Sequence, residues 1–204
     1  DSLNAAMDEL NHATTAFDMA SLLTGQQIEP GALPPSKLTF DKNLTTLALA
    51  TAREGCIAET LSALELAVEV DRGAADADAD ADDVSTMLMR KTKIIALEEG
   101  RHSVLAWRTI HWVCSTDSAA CDRVKREVLE TTKLAGATKA YSDDIAKAWS
   151  RLYESLVPFV TMTETLPTWT SVLDCTTTTT TVIEDTDESD VTGVLVRNIL
   201  KGVY

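Results

Sequence analysis

Leu97-Glu98-Glu99-Gly100-Arg101-His102-Ser103-Val104-Leu105-Ala106-Trp107 stands in the middle of a long helical pattern. Glu99 and His102 are three residues apart, so on an α-helix they share a face, one turn from each other. A carboxylate oxygen and an imidazole nitrogen so placed can hold one metal ion together. One such pair on one helix is most often solvated surface, so its meaning depends on what the rest of the chain contains.

The chain contains a second pair. Residues 1–24 read as a helix, with Leu3, Met7, Leu10, Ala13, Phe17, Ala20 and Leu23 recurring at three- and four-residue steps as one apolar stripe. Glu9 and His12 stand inside it, and Gly25 is a suitable stop. The pattern already runs at the first residue with no capping box before it, which leads us to expect a preceding helix. Pro30, Gly31, Pro34 and Pro35 exclude a continuous helix over residues 26–41. Extended, that stretch reaches about 50 Å, the length of a bundle.

A second helix is expected over 42–72, capped by Asp41 or Asn43 and ended by Gly73. Its apolar stripe includes Leu47, Ala50, Ile57, Leu61, Leu64 and Val68, and Glu54, Glu59 and Glu65 stand in its middle. Ala74 to Asp83 alternates Ala with Asp and reads as a solvated loop. It lacks the glycine and glutamate of a calcium-binding EF-hand loop. A third long helix, 84–114, is capped by Ser85 and carries Met87, Met89, Ile94, Ile95, Val104, Leu105, Trp107, Ile110 and Val113. Asp117 or Ser118 starts another helix to 135, and Ser142 caps one to 157. Pro158 and Pro167 are expected to break the chain, and 159–190 is Thr-rich and read as irregular. A last helix follows over 189–202. The fold class is therefore all-α: a helical bundle over residues 1–115, with extra C-terminal helices and the irregular stretch within 116–204.

The formal net charge of -14 argues against nucleic acid, whose phosphates need basic patches. No apolar run is long enough to span a bilayer. The four cysteines form no zinc-like spacing. Cys56 and Cys114 fall in apolar helix patterns and read as buried small side chains; a Cys114–Cys121 disulfide is the less favoured alternative. Asn43-Leu44-Thr45 matches a glycosylation sequon but reads better as a helix start.

Distance along the helices tests whether the acids can meet. Glu59 lies fourteen residues before Gly73, and Glu99 fourteen after Ser85. In a hairpin both stand about 21 Å from the turn, at roughly 1.5 Å per residue. Glu54 would lie about 7 Å off that level and about 140° around the helix from Glu59, so it is expected to support a ligand rather than be one. Glu9, sixteen residues before Gly25, is near the same height if helix 1–24 runs parallel to helix 42–72. Two Glu-x-x-His pairs with lone glutamates from two further helices form the ligand set of di-iron and di-manganese bundles. One lone glutamate is present here, Glu59.

Asp8-Glu9-Leu10-Asn11-His12-Ala13, Arg53-Glu54-Gly55-Cys56-Ile57-Ala58-Glu59-Thr60 and Glu98-Glu99-Gly100-Arg101-His102, with Ala106-Trp107-Arg108 after, resemble the ferritin-like superfamily. The resemblance covers residues 1–115. It implies a four-helix bundle with a long crossover between its second and third helices. Helix 1–24 would then be the second, and an upstream first helix would carry the fourth glutamate. It also implies two iron (or manganese) ions held by Glu9, His12, Glu59, Glu99 and His102. The implied chemistry uses dioxygen or peroxide, as ferroxidase, peroxide remover, or oxidase or hydroxylase of a small substrate. Mixed carboxylate and imidazole ligands suit either metal. Two rivals stand beside this reading: a metal-free interaction or scaffold protein with a degenerate site, and an iron store. Trp107, Trp112 and His111 read as packing or unrelated residues. Arg101 is expected to pair with a nearby acid.

Overall fold

The computed structural model describes residues 2–32, 43–76, 83–132, 142–161 and 190–203. Among these residues every regular element is helical. In chain order they are α1 (Ser2–Thr24), α2 (Leu44–Thr51), a π-helical segment π1 (Ala52–Glu59), α3 (Thr60–Asp76), α4 (Asp83–Thr116), α5 (Ser118–Val124), π2 (Lys125–Leu129), α6 (Glu130–Thr132), α7 (Asp143–Thr161) and α8 (Val191–Val203). None is long and apolar enough to cross a membrane.

α2, π1 and α3 follow one another without a break, forming one long rod with a π-helical middle. Asn43 caps the rod, accepting hydrogen bonds from the amides of Thr45 (2.9 Å) and Thr46 (3.3 Å). The asparagine of the sequon is thus a capping residue. The rod packs antiparallel to α4: Gly55 lies against Ala106 at one level and Gly73 against Met89 at another. α1 packs on α4, with Asp8 beside His102 and His12 beside Glu98. That order makes α1 antiparallel to α4 and parallel to the rod, as the long proline-rich connection permits.

One core joins the halves of the chain. Leu64 of α3, Trp107 and Ile110 of α4, Leu152 and Phe159 of α7, and Leu195 and Ile199 of α8 belong to a single buried cluster. Each such side chain contributes about 1.5–3 kcal/mol relative to exposure. α8 is tied in at its start by α3. The Asp71 carboxylate accepts hydrogen bonds from the amides of Val191 (2.6 Å) and Thr192 (2.9 Å), supplying negative charge where the helix dipole is positive. Gly100 lets α8 come close to α4; a Cβ there would stand 2.4 Å from Leu195 Cδ1.

Several sequence expectations need correction. The stretch read as a loop, Ala74–Asp83, is helical at both ends, because α3 runs through Gly73 to Asp76 and α4 starts at Asp83; residues 77–82 lie outside the described set. Gly73 does not stop its helix: it makes room for Met89. Ser85 is inside α4 rather than its cap. Pro158 does not end α7, which continues to Thr161. Proline costs a helix one amide donor, yet α7 continues for three residues beyond it. Of the stretch expected to be irregular, 159–161 is helical and 162–189 lies outside the described residues. Helix 117–135 has a π-helical turn and is described only to Thr132. Cys114 is not a plain packing residue; it is disulfide-bonded to Cys121, with Cα atoms 4.5 Å apart. The chain reverses at Asp117, which caps α5 through the amides of Ala119 and Ala120, and that reversal brings the two sulfurs together. Cys56 is free and buried, as expected.

Apolar stripes ordinarily face a core. The stripe of α1 does not: Leu3, Met7, Leu10 and Leu23 are exposed, and the polar side carrying Asp8 and His12 faces α4. Leu47, Met87, Ile94 and Trp112, counted as stripe or packing residues, are also exposed.

Candidate metal centre

The centre forms where α1 and π1 meet the middle of α4. Glu59 is the last residue of π1. A π-helical segment bonds i to i+5 and is frequent at functional sites because it re-aims side chains. Here it holds Glu59 facing α4 at the level of Gly55, where a Cβ would be only 2.4 Å from Ala106 Cβ. The missing side chain lets the two backbones approach. Glu59 and Glu99 stay nearly equidistant from the facing helix ends because the extensions nearly cancel: Gly73 to Asp76 adds three residues, and Ser85 to Asp83 adds two.

Two groups of three ligand-bearing residues result: Glu9, His12 and Glu99, and Glu59, Glu99 and His102. Within each, one ligand atom per residue lies within 4.8 Å of the others. Their union is the set of five expected from the sequence, and Glu99 belongs to both. The two imidazoles face each other, ring centroids 5.9 Å apart. His12 Nδ1 lies 3.2 Å from Glu99 and 3.8 Å from Glu9. His102 Nδ1 lies 3.0 Å from Glu9 and 3.7 Å from Glu99. Both rings therefore turn Nδ1 toward the same carboxylates.

Two acids that the sequence reading passed over hold those rings in place. His12 Nε2 lies 2.9 Å from Glu98 Oε2, and His102 Nε2 lies 3.2 Å from Asp8 Oδ2. The contacts cross: each histidine meets the acid that precedes the glutamate of the other helix. A carboxylate accepts, so in these contacts Nε2 is the donor, and Nδ1 is the ring nitrogen left facing the inner carboxylates. The signal was present as a doubled acid, Asp8-Glu9-x-x-His12 and Glu98-Glu99-x-x-His102. Arg101 lies 3.2 Å from Glu98 and 3.8 Å from Asp8, and so spans both outer acids. It is largely exposed, and that attraction is weakened by solvent.

The inner carboxylates are held in an unfavourable state when charged. Burial raises the pKa of Glu59, and the neighbouring Glu99 carboxylate adds to it. Burial also raises Glu99, with Glu9 next. Nearby imidazoles offset part of each shift. His12 Nδ1 is buried and has no hydrogen-bond partner. Its nearest carboxylate is Glu99, at 3.2 Å. A buried ring nitrogen facing converging carboxylates is an arrangement that a cation can complete.

Glu54 is exposed and belongs to neither group, although its charge is felt at Glu59. The 140° separation assumed α-helical geometry; π-helical bonding brings residues five apart nearer in azimuth. His111 is unrelated to the centre, its Nδ1 donating to the Phe159 carbonyl at 2.9 Å. Trp107 is fully buried, and its indole N–H donates to Thr60 Oγ1 at 3.3 Å, just behind Glu59. No known protein family, curated protein or solved structure matches this chain.

Proposed function

We propose that this chain is a two-metal carboxylate protein of the ferritin-like kind, binding iron or manganese and reacting with dioxygen or peroxide. The observation that carries the reading is the buried, unpartnered His12 Nδ1 aimed into a cluster of three carboxylates and a second imidazole. Glu99 would be shared by both ions, His12 and Glu9 would hold one, and His102 and Glu59 the other. Bound metals of this type supply electrons and share the charge of reduced oxygen species. The protein's own contributions are positional. Glu98 and Asp8 orient the imidazole rings, α4 and π1 shield the inner side, and half-exposed Glu9 marks the side open to solvent. Divalent metals would also relieve the mutual repulsion of Glu9, Glu59 and Glu99. The substrate could be the metal itself, peroxide or a small organic molecule.

The rival is a metal-free helical interaction protein, in which the histidines merely pair with acids across the helices. The test is metal content of the full chain after loading with ferrous or manganous ions and removal of excess. About two ions per chain are expected, about one in His12→Ala, and neither retained in Glu99→Ala. No retained metal in the unaltered chain, or equal retention in all three, would rule the centre out and leave the interaction reading.

A further inference from the structure

The outward face of α1 carries a helix-pairing seam with no partner among the described residues. Leu3, Met7, Leu10, Thr14 and Phe17 are spaced by alternating steps of four and three, the a/d spacing of a two-helix seam. Leu3 is 83% exposed, Met7 58% and Leu10 63%. By helical period this seam lies about 180° from the face bearing Asp8 and His12. It therefore points away from α4. The flanks are unusual for so acidic a chain. One is Ala6, Ala13 and Ala20; the other is Asn4, Asn11 and Asp18. Of the three acids in α1, Asp8 and Glu9 contact α4 residues, leaving Asp18 alone beside the seam. No basic residue occurs in α1.

We propose that this face pairs with the same face of a second copy, as two antiparallel α1 helices related by a two-fold axis near His12. A net charge of -14 opposes self-association over most of the surface; this seam is where that opposition is lifted. In the antiparallel register the a/d residues pair with positions summing to 24, which sets Met7 against Phe17 and Leu10 against Thr14 of the other copy. Ala13 then meets Ala13, Ala6 meets Ala20, and Asn11 meets Asn11. The single flanking charge, Asp18, meets neutral Asn4. No like charges face each other, and the small alanine flank lets the helices come close. The 23-residue helix gives a narrow seam about 34 Å long, which suits a weak pair rather than an obligate one. Association in the micromolar range is expected.

Sedimentation equilibrium of the full chain tests this, together with Met7→Lys/Leu10→Lys and Ala13→Cys. The unaltered chain should be dimeric at tens of micromolar, and the double-lysine variant monomeric with unchanged helicity by circular dichroism. Ala13→Cys should form a disulfide-linked dimer under mild oxidation, because the antiparallel register sets residue 13 on the same flank as its copy, whereas a parallel pair puts the two on opposite flanks of the seam. A monomer at all concentrations, or a dimer that survives the lysines, would overturn the proposal. Failure of Ala13→Cys to cross-link in an otherwise confirmed dimer would overturn the antiparallel register.

Discussion

His12 on α1 and Glu98 on α4, 86 residues apart in sequence, meet through Nε2 and Oε2 at 2.9 Å. The reciprocal pair, His102 and Asp8, meets at 3.2 Å. These contacts orient the two imidazole rings. Replacing Glu98 or Asp8 with alanine should therefore weaken metal binding by about 10- to 100-fold while leaving the inner five residues intact, the usual effect of losing a ligand's supporting acid. Titration with manganous ion, followed by calorimetry, reads this. Unchanged affinity in both variants would show that the outer acids do not position the rings.

Burial, with mutual repulsion added, raises the pKa values of Glu59 and Glu99. For a carboxyl raised on folding, the folded state holds the proton more tightly than the unfolded state, whose value is about 4.3. The associated stability is fully present below that value and is lost as pH rises through the raised folded value. In chelator, Glu59→Gln should therefore be more stable than the unaltered chain at about pH 8, with the gap narrowing toward about pH 5. Urea unfolding at both ends of that range measures the gap. A gap that is constant or widens on acidification contradicts the assignment.

Gly55 sets the approach of the rod to α4, with a hypothetical Cβ at 2.4 Å from Ala106 Cβ. Ala106 Cβ cannot swing aside, so the helices must separate. Gly55→Ala should cost about 1–3 kcal/mol by overpacking and should also reduce metal retention by moving Glu59. Gly31, with nothing within 4 Å of a Cβ, provides the control. If both glycine variants unfold at the same denaturant concentration, close approach at Gly55 is not a constraint.

Asp71 caps α8 across 120 residues of sequence. Asp71→Ala should cost about 1–2 kcal/mol, the range of a lost N-cap. Hydrogen exchange should show the loss concentrated in Val191–Val203, with α4 and α7 little affected. Uniform acceleration over the whole core would instead mean that α8 is integral to a single cooperative unit.

Periodicity was enough to place most helices, because a 3.6-residue repeat of apolar side chains has few other solutions. Glu-x-x-His on two helices and the equal distances of Glu59 and Glu99 from their turn were enough to name five residues that the structure brings together. Local signals misjudged the helix ends at Gly73, Ser85 and Pro158; at Gly73 the missing side chain serves packing, making room for Met89. Three features could only come from tertiary structure. The π-helical turn depends on how the rod meets α4. The roles of Asp8 and Glu98 depend on which helix lies opposite. Burial direction along α1 also lay beyond periodicity, which identifies an apolar stripe but not what it faces. Here the charged and imidazole side faces α4, and the stripe looks outward. A repeat along one chain carries the angle between residues; only the neighbouring helices determine which angle points inward.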